Sequence, residues 1–126
     1  MGFKKIISGE ITSYKVAEND EFLAFLDPTP LAIGHTIVIP KASMTYIFDI
    51  EDEVLVRLHL FAKQVAIQLK KGVPCKRIGL AVIGLVEPHT HIHLVPLQTV
   101  DDINFSKPKL SLSDARLESV LEKILL

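Results

Sequence analysis

Apolar residues recur along this chain with two different periods, and each period predicts a different kind of element. Between residues 52 and 71 they lie three and four positions apart, which is the spacing of a helix with one buried face. Two lysines and then Gly72 follow, which is a favourable helix C-terminus. We expect Ser43 or Asp49 to cap the start of this long helix.

A second helical pattern closes the sequence. Residues 114–125 carry an apolar stripe, and Ser111 or Ser113 is placed to cap the first turn. The stripe consists of Leu117, Val120, Leu121, Ile124 and Leu125. A much shorter helix or extended segment is expected over residues 4–8, with a stop at Gly9.

Short apolar runs bounded by turn residues predict about five strands. They cover residues 14–18, 21–26, 35–40, 77–84 and 88–96, and Asn19 and Asp20 form the turn of a hairpin between the first two. The strands gather before and after the long helix and do not alternate with helices. This order predicts an α+β fold with a mainly antiparallel sheet and the long and terminal helices on one face.

The last of these strands holds three of the chain's five histidines, His89, His91 and His93. Side chains in a strand point alternately to opposite faces, so the three would share one face at a spacing of about 6–7 Å. A proline stands on each side of the run, which suits the ends of a strand better than its centre.

Composition narrows the class of protein. With 126 residues the chain has the length of one domain, 1–126. A net charge of −1, without a basic run, gives no support for binding to nucleic acid or to an anionic membrane.

The single cysteine, Cys75, cannot form an internal disulfide or a cysteine-rich zinc site. No run approaches the roughly 20 apolar residues of a membrane span, and residues 1–10 do not read as a secretory signal. We expect a cytoplasmic protein.

Three imidazoles on one face admit three interpretations from the pattern alone. They can attack as a nucleophile, pass a proton and stabilise anionic oxygens, as phosphoryl or nucleotidyl transfer requires. They can ligate a metal, since zinc often binds three histidines. They can also form a hydrogen-bonded polar seam, although burying three histidines in so apolar a strand is costly. His59, inside the long helix, has no partner at metal-ligand spacing and is expected at the surface.

The run His89-x-His91-x-His93-Leu94-Val95 resembles the signature of the histidine triad (HIT) family of nucleotide hydrolases and transferases, with Thr90 in place of an apolar residue. Residues 5–11, 20–27 and 34–41 are similar to blocks of the same family, in the same order. The resemblance covers most of residues 3–97. It implies a HIT-like α+β fold with a core at 3–97, followed by a C-terminal loop and helix at 98–126.

The resemblance also implies roles for single residues. His91 would attack the α-phosphorus of a nucleotide and carry a covalent nucleotidyl group. His93 would hydrogen-bond the phosphate, while His89 and His35 would form a supporting relay. Asp27 matches the acid that binds both ribose hydroxyls. The other positions that match substrate-binding residues are Phe3, Ile6, Phe25, Leu26 and Ile37 in the base pocket, and Gly84 in the loop before the triad.

Four positions or segments depart from the family pattern. Met1, Lys4 and Ser43 stand where many bacterial members carry the cysteines and histidine of a structural zinc site, so we expect neither a metal nor another cofactor. Val86 stands where a hydroxyl would contact the phosphate or the leaving group. Pro28 replaces an apolar residue beside the ribose-binding acid. The tail after residue 97 does not resemble the best-studied branch.

The function implied is hydrolysis of a purine nucleoside 5′-phosphoramidate, or a related adenylyl conjugate, to a nucleoside monophosphate. The resemblance also implies a homodimer, formed through the long helix and the next strand, with contributions from Leu58, Phe61, Val65 and residues 77–82. Two alternatives stay open. One is a nucleotide-binding sensor or scaffold with little turnover, and the other is a dinucleoside polyphosphate hydrolase.

Overall fold

A computed structural model describes residues 2–125, so the two ends of the predicted domain, Met1 and Leu126, lie outside the described residues. In chain order the elements are α1 (Phe3–Ser8), β1 (Lys15–Glu18), β2 (Phe22–Leu26), β3 (Thr36–Pro40), α2 (Asp52–Gly72), β4 (Arg77–Ala81), β5 (Ile92–Leu97) and α3 (Asp114–Leu125). Short 3-10 turns at Ile47–Asp49 and Val100–Ile103 complete the list. The helix and strand pattern predicted from the sequence is confirmed.

The strands form one antiparallel sheet in the order β1-β2-β3-β5-β4. Its two faces pack against different partners, because residues alternate between the faces. On one face Phe22, Ala24 and Leu26 join the core beneath α2 and α3. On the other face Leu23 and Phe25 join a smaller cluster beneath α1. None of the helices in residues 2–125 is long and apolar enough to cross a membrane.

The capping predictions have different outcomes for the two long helices. Neither Ser43 nor Asp49 caps α2: Glu51 is its N-cap and makes no side-chain capping bond, and Asp49 belongs to the preceding 3-10 turn. The acidic first turn of α2 supplies negative charge to the helix dipole instead. Ser113 does cap α3, since its Oγ accepts a hydrogen bond from Arg116 N at 3.1 Å.

The regular part of the histidine strand is shorter than predicted. β5 begins at Ile92, so His89 and His91 precede it, and β4 ends at Ala81 instead of Gly84. The pairing of β3 with β5 stops at Val38 opposite Ile92. Beyond that point the carbonyl oxygen of Pro40 accepts a side-chain hydrogen bond from His89 Nε2 (2.8 Å), where the β3–β5 ladder would otherwise continue.

The prediction of dimer contacts is wrong for the three residues on α2. Leu58, Phe61 and Val65 are buried in the chain's own core beneath the sheet. The opposite side of α2 carries exposed apolar side chains instead, with Val56, Leu60 and Ile67 at 57%, 54% and 50% exposure. The helix period decides this, because residues three or four apart share a face and those two apart do not. β4 does form an edge of the sheet.

Candidate active site

Four histidines form one continuous row on the sheet face that α1 covers. His93 lies in β5, His91 and His89 lie just before it, and His35 lies just before β3. The ring centroids of His35 and His93 are 5.2 Å apart, and those of His93 and His91 are 4.8 Å apart. All four residues are buried. We call this set the histidine row.

Backbone contacts define which nitrogen carries the proton in His35 and His93. Leu31 N donates to His35 Nδ1 at 3.0 Å, so the proton of the neutral His35 ring is on Nε2. That N–H then donates to His93 Nδ1 at 3.0 Å. The neutral His93 ring consequently carries its own proton on Nε2, from which it can donate to another group.

The same reasoning applies at the other end of the row. His91 Nδ1 lies 2.7 Å from the carbonyl oxygen of His89, which can only accept, so Nδ1 carries the proton. The lone pair of neutral His91 is therefore on Nε2. His89 in turn donates from Nε2 to the carbonyl oxygen of Pro40 at 2.8 Å. Both rings are oriented by main-chain oxygens.

Burial keeps two members of the row uncharged near neutral pH. Burial is the main cause that lowers the pKa of His35 to about 3, and the charges of His93 and Lys109 add to the effect. Burial likewise lowers the pKa of His93 to about 4, with His91 and Lys109 contributing. Protonation would place a charge where water cannot solvate it.

Asp27 is a buried carboxylate at the end of β2, next to the row. Its Oδ1 accepts hydrogen bonds from Thr29 N (2.9 Å) and Thr29 Oγ1 (3.3 Å), which leaves Oδ2 for another donor. Burial raises the pKa of Asp27 against the lowering effect of these bonds. Oδ2 lies 3.8 Å from His35 Nε2, but His35 is uncharged near neutral pH, so this contact is not an ion pair.

The compact group of Asp27, His35 and His93 has the outline of a metal site, because its ligand atoms lie within 4.8 Å of one another. A metal needs unprotonated ring nitrogens. His35 Nδ1 already accepts the Leu31 N–H, so the neutral ring keeps its proton on Nε2, the atom that faces the group. The hydrogen bonds therefore fit a proton-sharing pair of histidines better than a metal.

Two phenylalanines close the row at its ends. Phe3 of α1 packs edge-on against His89 (5.8 Å between centroids) and His91 (5.1 Å). Phe105 packs against His93 at 4.7 Å and His35 at 6.4 Å. The cavity that adjoins His91 has a volume of only about 90 Å³. Small-molecule sites usually enclose a few hundred Å³, so the cavity at His91 alone is too small for a nucleotide.

The predicted base-pocket residues divide between the two faces of the sheet. Phe3, Ile6, Phe25 and Ile37 pack together on the face of the histidine row. Leu26 does not join them: its side chain packs in the core beneath α2 and α3, because it follows Phe25 directly in a strand. Gly84 adopts a positive φ of 73° and lines the small cavity at His91.

Sequence reasoning missed the contribution of the segment after the triad. We call residues 98–113 the post-triad segment. It brings Phe105 onto the histidine row and holds Lys109 Nζ 5.3 Å from the centre of the Phe105 ring. Its end is fastened by Leu110 N, which donates to Pro30 O at 2.8 Å. The segment has no hydrophobic period, so only its unassigned aromatic and basic residues could have drawn attention to it.

A model of the HIT domain matches residues 8–100. The chain belongs to the HIT family. It is 42% identical over 101 residues to an uncharacterized HIT-like protein of Mycoplasma genitalium, which covers 75% of this chain and 70% of that protein. It is 38% identical over 95 residues to the adenosine 5′-monophosphoramidase of Saccharomyces cerevisiae, and the match covers 75% of this chain and 60% of that enzyme.

The likeness extends to solved structures. The crystal structure of a hypothetical histidine triad nucleotide-binding protein from Sulfolobus tokodaii has a TM-score of 0.83 at 28% identity, and the match covers 99% of this chain and 89% of that one. The family match of this HIT domain ends at residue 100, whereas the structural match includes most of the post-triad segment and α3. Phe105 and Lys109 thus lie outside the part that defines the family.

Proposed function

We propose that this HIT domain hydrolyses a purine nucleoside 5′-phosphoramidate, or a related adenylyl conjugate, and releases a nucleoside monophosphate. The observation that carries the proposal is the bond from His91 Nδ1 to the carbonyl oxygen of His89 (2.7 Å). In the neutral ring this bond places the lone pair on His91 Nε2, beside a neutral His93, as an attacking nitrogen requires. The monophosphoramidase activity in the name of the yeast relative supports this choice of substrate.

The proposed reaction has two steps. His91 Nε2 attacks the α-phosphorus, the phosphorus–nitrogen bond to the amine breaks, and the amine leaves with a proton taken from solvent, which the attacking water of the second step returns. Water then attacks the same phosphorus, which frees His91 and yields the nucleoside monophosphate. His93 Nε2–H is the proposed donor to a phosphate oxygen, because its Nδ1 is occupied by His35. His35 and His89 orient the two working rings.

The nucleoside would bind between the row and α1. Asp27 is the proposed partner of the ribose hydroxyls, since its Oδ2 is not used by Thr29. A carboxylate can accept both hydroxyl protons. Phe3, Ile6 and Phe25 are the proposed apolar walls for the base, with Phe3 moving to admit it. Gly84 leaves room beside His91 for the phosphate group, as nothing lies within 4 Å of where its Cβ would be.

The test is a His91→Ala variant, assayed with a fluorogenic adenosine 5′-phosphoramidate and with a dinucleoside polyphosphate. We expect the variant to lose turnover and to keep AMP binding. A covalent nucleotidyl adduct should be trapped on the wild type only. His59→Ala is the matched control, because that ring is exposed on α2 and its Nδ1 is hydrogen-bonded to Leu55 O of its own helix. Unchanged turnover in His91→Ala would remove His91 as the nucleophile.

A second candidate function is a nucleotide-binding sensor or scaffold with little turnover. It is favoured by the loop before the triad, where Leu85 and Val86 are 88% and 97% exposed and offer no hydroxyl to a phosphate. A wild-type protein that binds AMP but turns over neither substrate class would select this function over the enzyme. Preferred cleavage of the dinucleoside polyphosphate would select the other hydrolase branch.

We also propose that the chain forms a homodimer. α2 contacts the edge strand β4, and both elements carry exposed apolar side chains: the stripe on α2 and Leu80 on β4. Pairing of two β4 edges would continue the sheet across both copies, and the two α2 stripes would cover each other.

A further inference from the structure

The charge balance of the histidine row leaves a phosphate without an evident positive partner. His35 and His93 are held neutral by burial. Asp27, the charged group nearest to them, carries the same sign as a phosphate. The loop before the triad presents Leu85 and Val86, which have no polar side-chain atoms. An anionic substrate needs a cation or a set of donors in this region.

Lys109 meets this need by its position. Its Nζ lies 5.3 Å from the centre of the Phe105 ring, within the range of an attractive cation–ring contact. The Phe105 ring itself packs against His93 at 4.7 Å. The charge of Lys109 also lowers the pKa of Asp27, of His35 and of His93.

The other lysine of the same turn differs in its partner. Lys107 Nζ is bonded to Asp101 at 3.0 Å, so its charge is already balanced. Within residues 2–125, Lys109 forms no ion pair with a carboxylate. Its contact with a ring face leaves its three N–H donors available.

A hydrogen-bonded turn precedes Lys109 in the chain, and a hydrogen bond to another loop follows it. Asn104 Oδ1 accepts bonds from Ser106 N (3.0 Å) and Ser106 Oγ (2.6 Å), which shapes the turn behind Phe105. Leu110 N donates to Pro30 O (2.8 Å), in the loop that follows Asp27. These bonds fix the chain immediately after Lys109 to the loop that holds the carboxylate.

We propose that Lys109 is a phosphate-binding residue of this active site, held over the histidine row by Phe105. The ligand is the 5′-phosphate of the nucleotide, and Phe105 is the positioning residue. The inference rests on the proposed nucleotide site, and it adds to that site a cation from outside the matched family region.

The experiment compares Lys109→Gln with Lys107→Gln in the whole 126-residue chain by calorimetric titration with AMP and with adenosine. Lys109→Gln should weaken AMP binding about tenfold and leave adenosine binding within about twofold, since only AMP carries the phosphate. Lys107→Gln should change neither, although it removes the same charge two residues away. Lys109→Arg should restore most of the AMP affinity.

Three results would overturn the proposal. Equal losses for AMP and adenosine in Lys109→Gln would mean a general structural role. Unchanged AMP affinity would mean that the lysine does not touch the phosphate. A loss in Lys107→Gln as large as in Lys109→Gln would mean a diffuse charge effect. Turnover is measured separately. If the wild type shows no turnover but Lys109→Gln still weakens AMP binding, the proposed enzymatic activity is refuted and the proposed role of Lys109 in phosphate binding stands.

Discussion

At the scale of single residues, main-chain atoms determine the protonation pattern of the histidine row. An amide N–H can only donate and a carbonyl oxygen can only accept, so each one fixes the tautomer of the ring that it touches. Leu31 N does this for His35, and the carbonyl oxygens of His89 and Pro40 do it for His91 and His89. In the neutral rings the result is a lone pair on His91 Nε2 and a donating Nε2–H on His93.

Stability should fall as the pH drops below about 6.5. The pKa values of His35 and His93 are lowered from 6.5 to about 3 and about 4, so in this range the unfolded chain binds protons that the folded chain does not. Each histidine then contributes a loss approaching about 1.4 kcal/mol per pH unit. The raised pKa of Asp27 acts in the opposite direction at lower pH, which makes the interval from pH 6.5 to 5 the informative one.

Urea denaturation at several pH values measures this slope. His93→Asn should make the slope shallower, because one of the two groups with a lowered pKa is gone. His59→Asn, at an exposed position, should leave the slope unchanged. A slope that His93→Asn does not alter would contradict the assignment to the histidine row.

Asp27→Ala should weaken binding of adenosine more than binding of 2′,3′-dideoxyadenosine. The carboxylate is the proposed acceptor of both ribose hydroxyls, and losing such bonds costs roughly tenfold or more in affinity. Asp27→Asn keeps an oxygen for Thr29 and separates the loop contact from the ribose contact. Asp20→Ala, in an exposed turn, is the control. Equal losses for both nucleosides would exclude the ribose role.

Purified protein should contain no stoichiometric zinc. Lys4 and Ser43 offer no ligands of the thiolate or imidazole type at the positions where bacterial relatives carry a structural site, and the third position, Met1, lies outside the described residues. The bond from Leu31 N to His35 further disfavours a metal at the histidine row. Elemental analysis after purification without chelators checks this, and one zinc per chain would revive the metal interpretation.

At the scale of elements, the period of each element decides which side chains can reach the site. β2 sends Phe25 to the histidine row and Leu26 to the helix side, although both were predicted in one pocket. The same period in β5 places His93 on the row, opposite Ile37 of β3. In α2 it buries Leu58 and leaves Leu60 at the surface. A correct prediction of the strands is therefore not enough: the face of each side chain must also be correct for the residues of the proposed base pocket to be identified.

Gly72→Ala should destabilise the protein. Gly72 ends α2, and a Cβ there would lie 2.6 Å from Ile124 Cα and from Lys123 O, both backbone atoms of α3. Since backbone cannot yield as a side chain does, the two helices must separate, at a cost of about 1–3 kcal/mol. Gly2→Ala is the control, because its Cβ would meet only ordinary contacts of 3.6 Å. Equal denaturation midpoints for the two variants would contradict this packing.

At the scale of the whole molecule, the sheet separates two tasks. The face beneath α2 and α3 holds the larger apolar core, and the opposite face holds the histidine row between α1 and the post-triad segment. The rigid core thus positions the histidines through β3 and β5, while the two covers are a six-residue helix and a loop. Opening one cover does not require disturbing the larger core.

The protein should sediment at twice its 14.0 kDa chain mass. Leu60→Glu should shift it toward the monomer, because a charge would be placed in the proposed contact between two α2 stripes. Ile11→Glu is the matched control: Ile11 is also an exposed apolar residue, but it precedes β1, at the other edge of the sheet. A wild type that sediments as a monomer, or a dimer unaffected by Leu60→Glu, would contradict this interface.

The sequence by itself determined the elements and the residue types of the site. The long helix runs from Asp52 to Gly72 where residues 52–71 were predicted, because helix periodicity is a local property. The alternate spacing of His89, His91 and His93 identified the candidate chemistry, and the shared signature identified the family.

Only the tertiary structure decided how those residues are oriented and covered. His35 meets His93 across 58 positions of the chain, and Pro40 meets His89 across 49. Phe105 and Lys109 reach the row through a loop that has no period of its own. Such contacts depend on the order and register of the strands and on which surfaces lose water. Those quantities belong to the folded chain as a whole, so no local spacing encodes them.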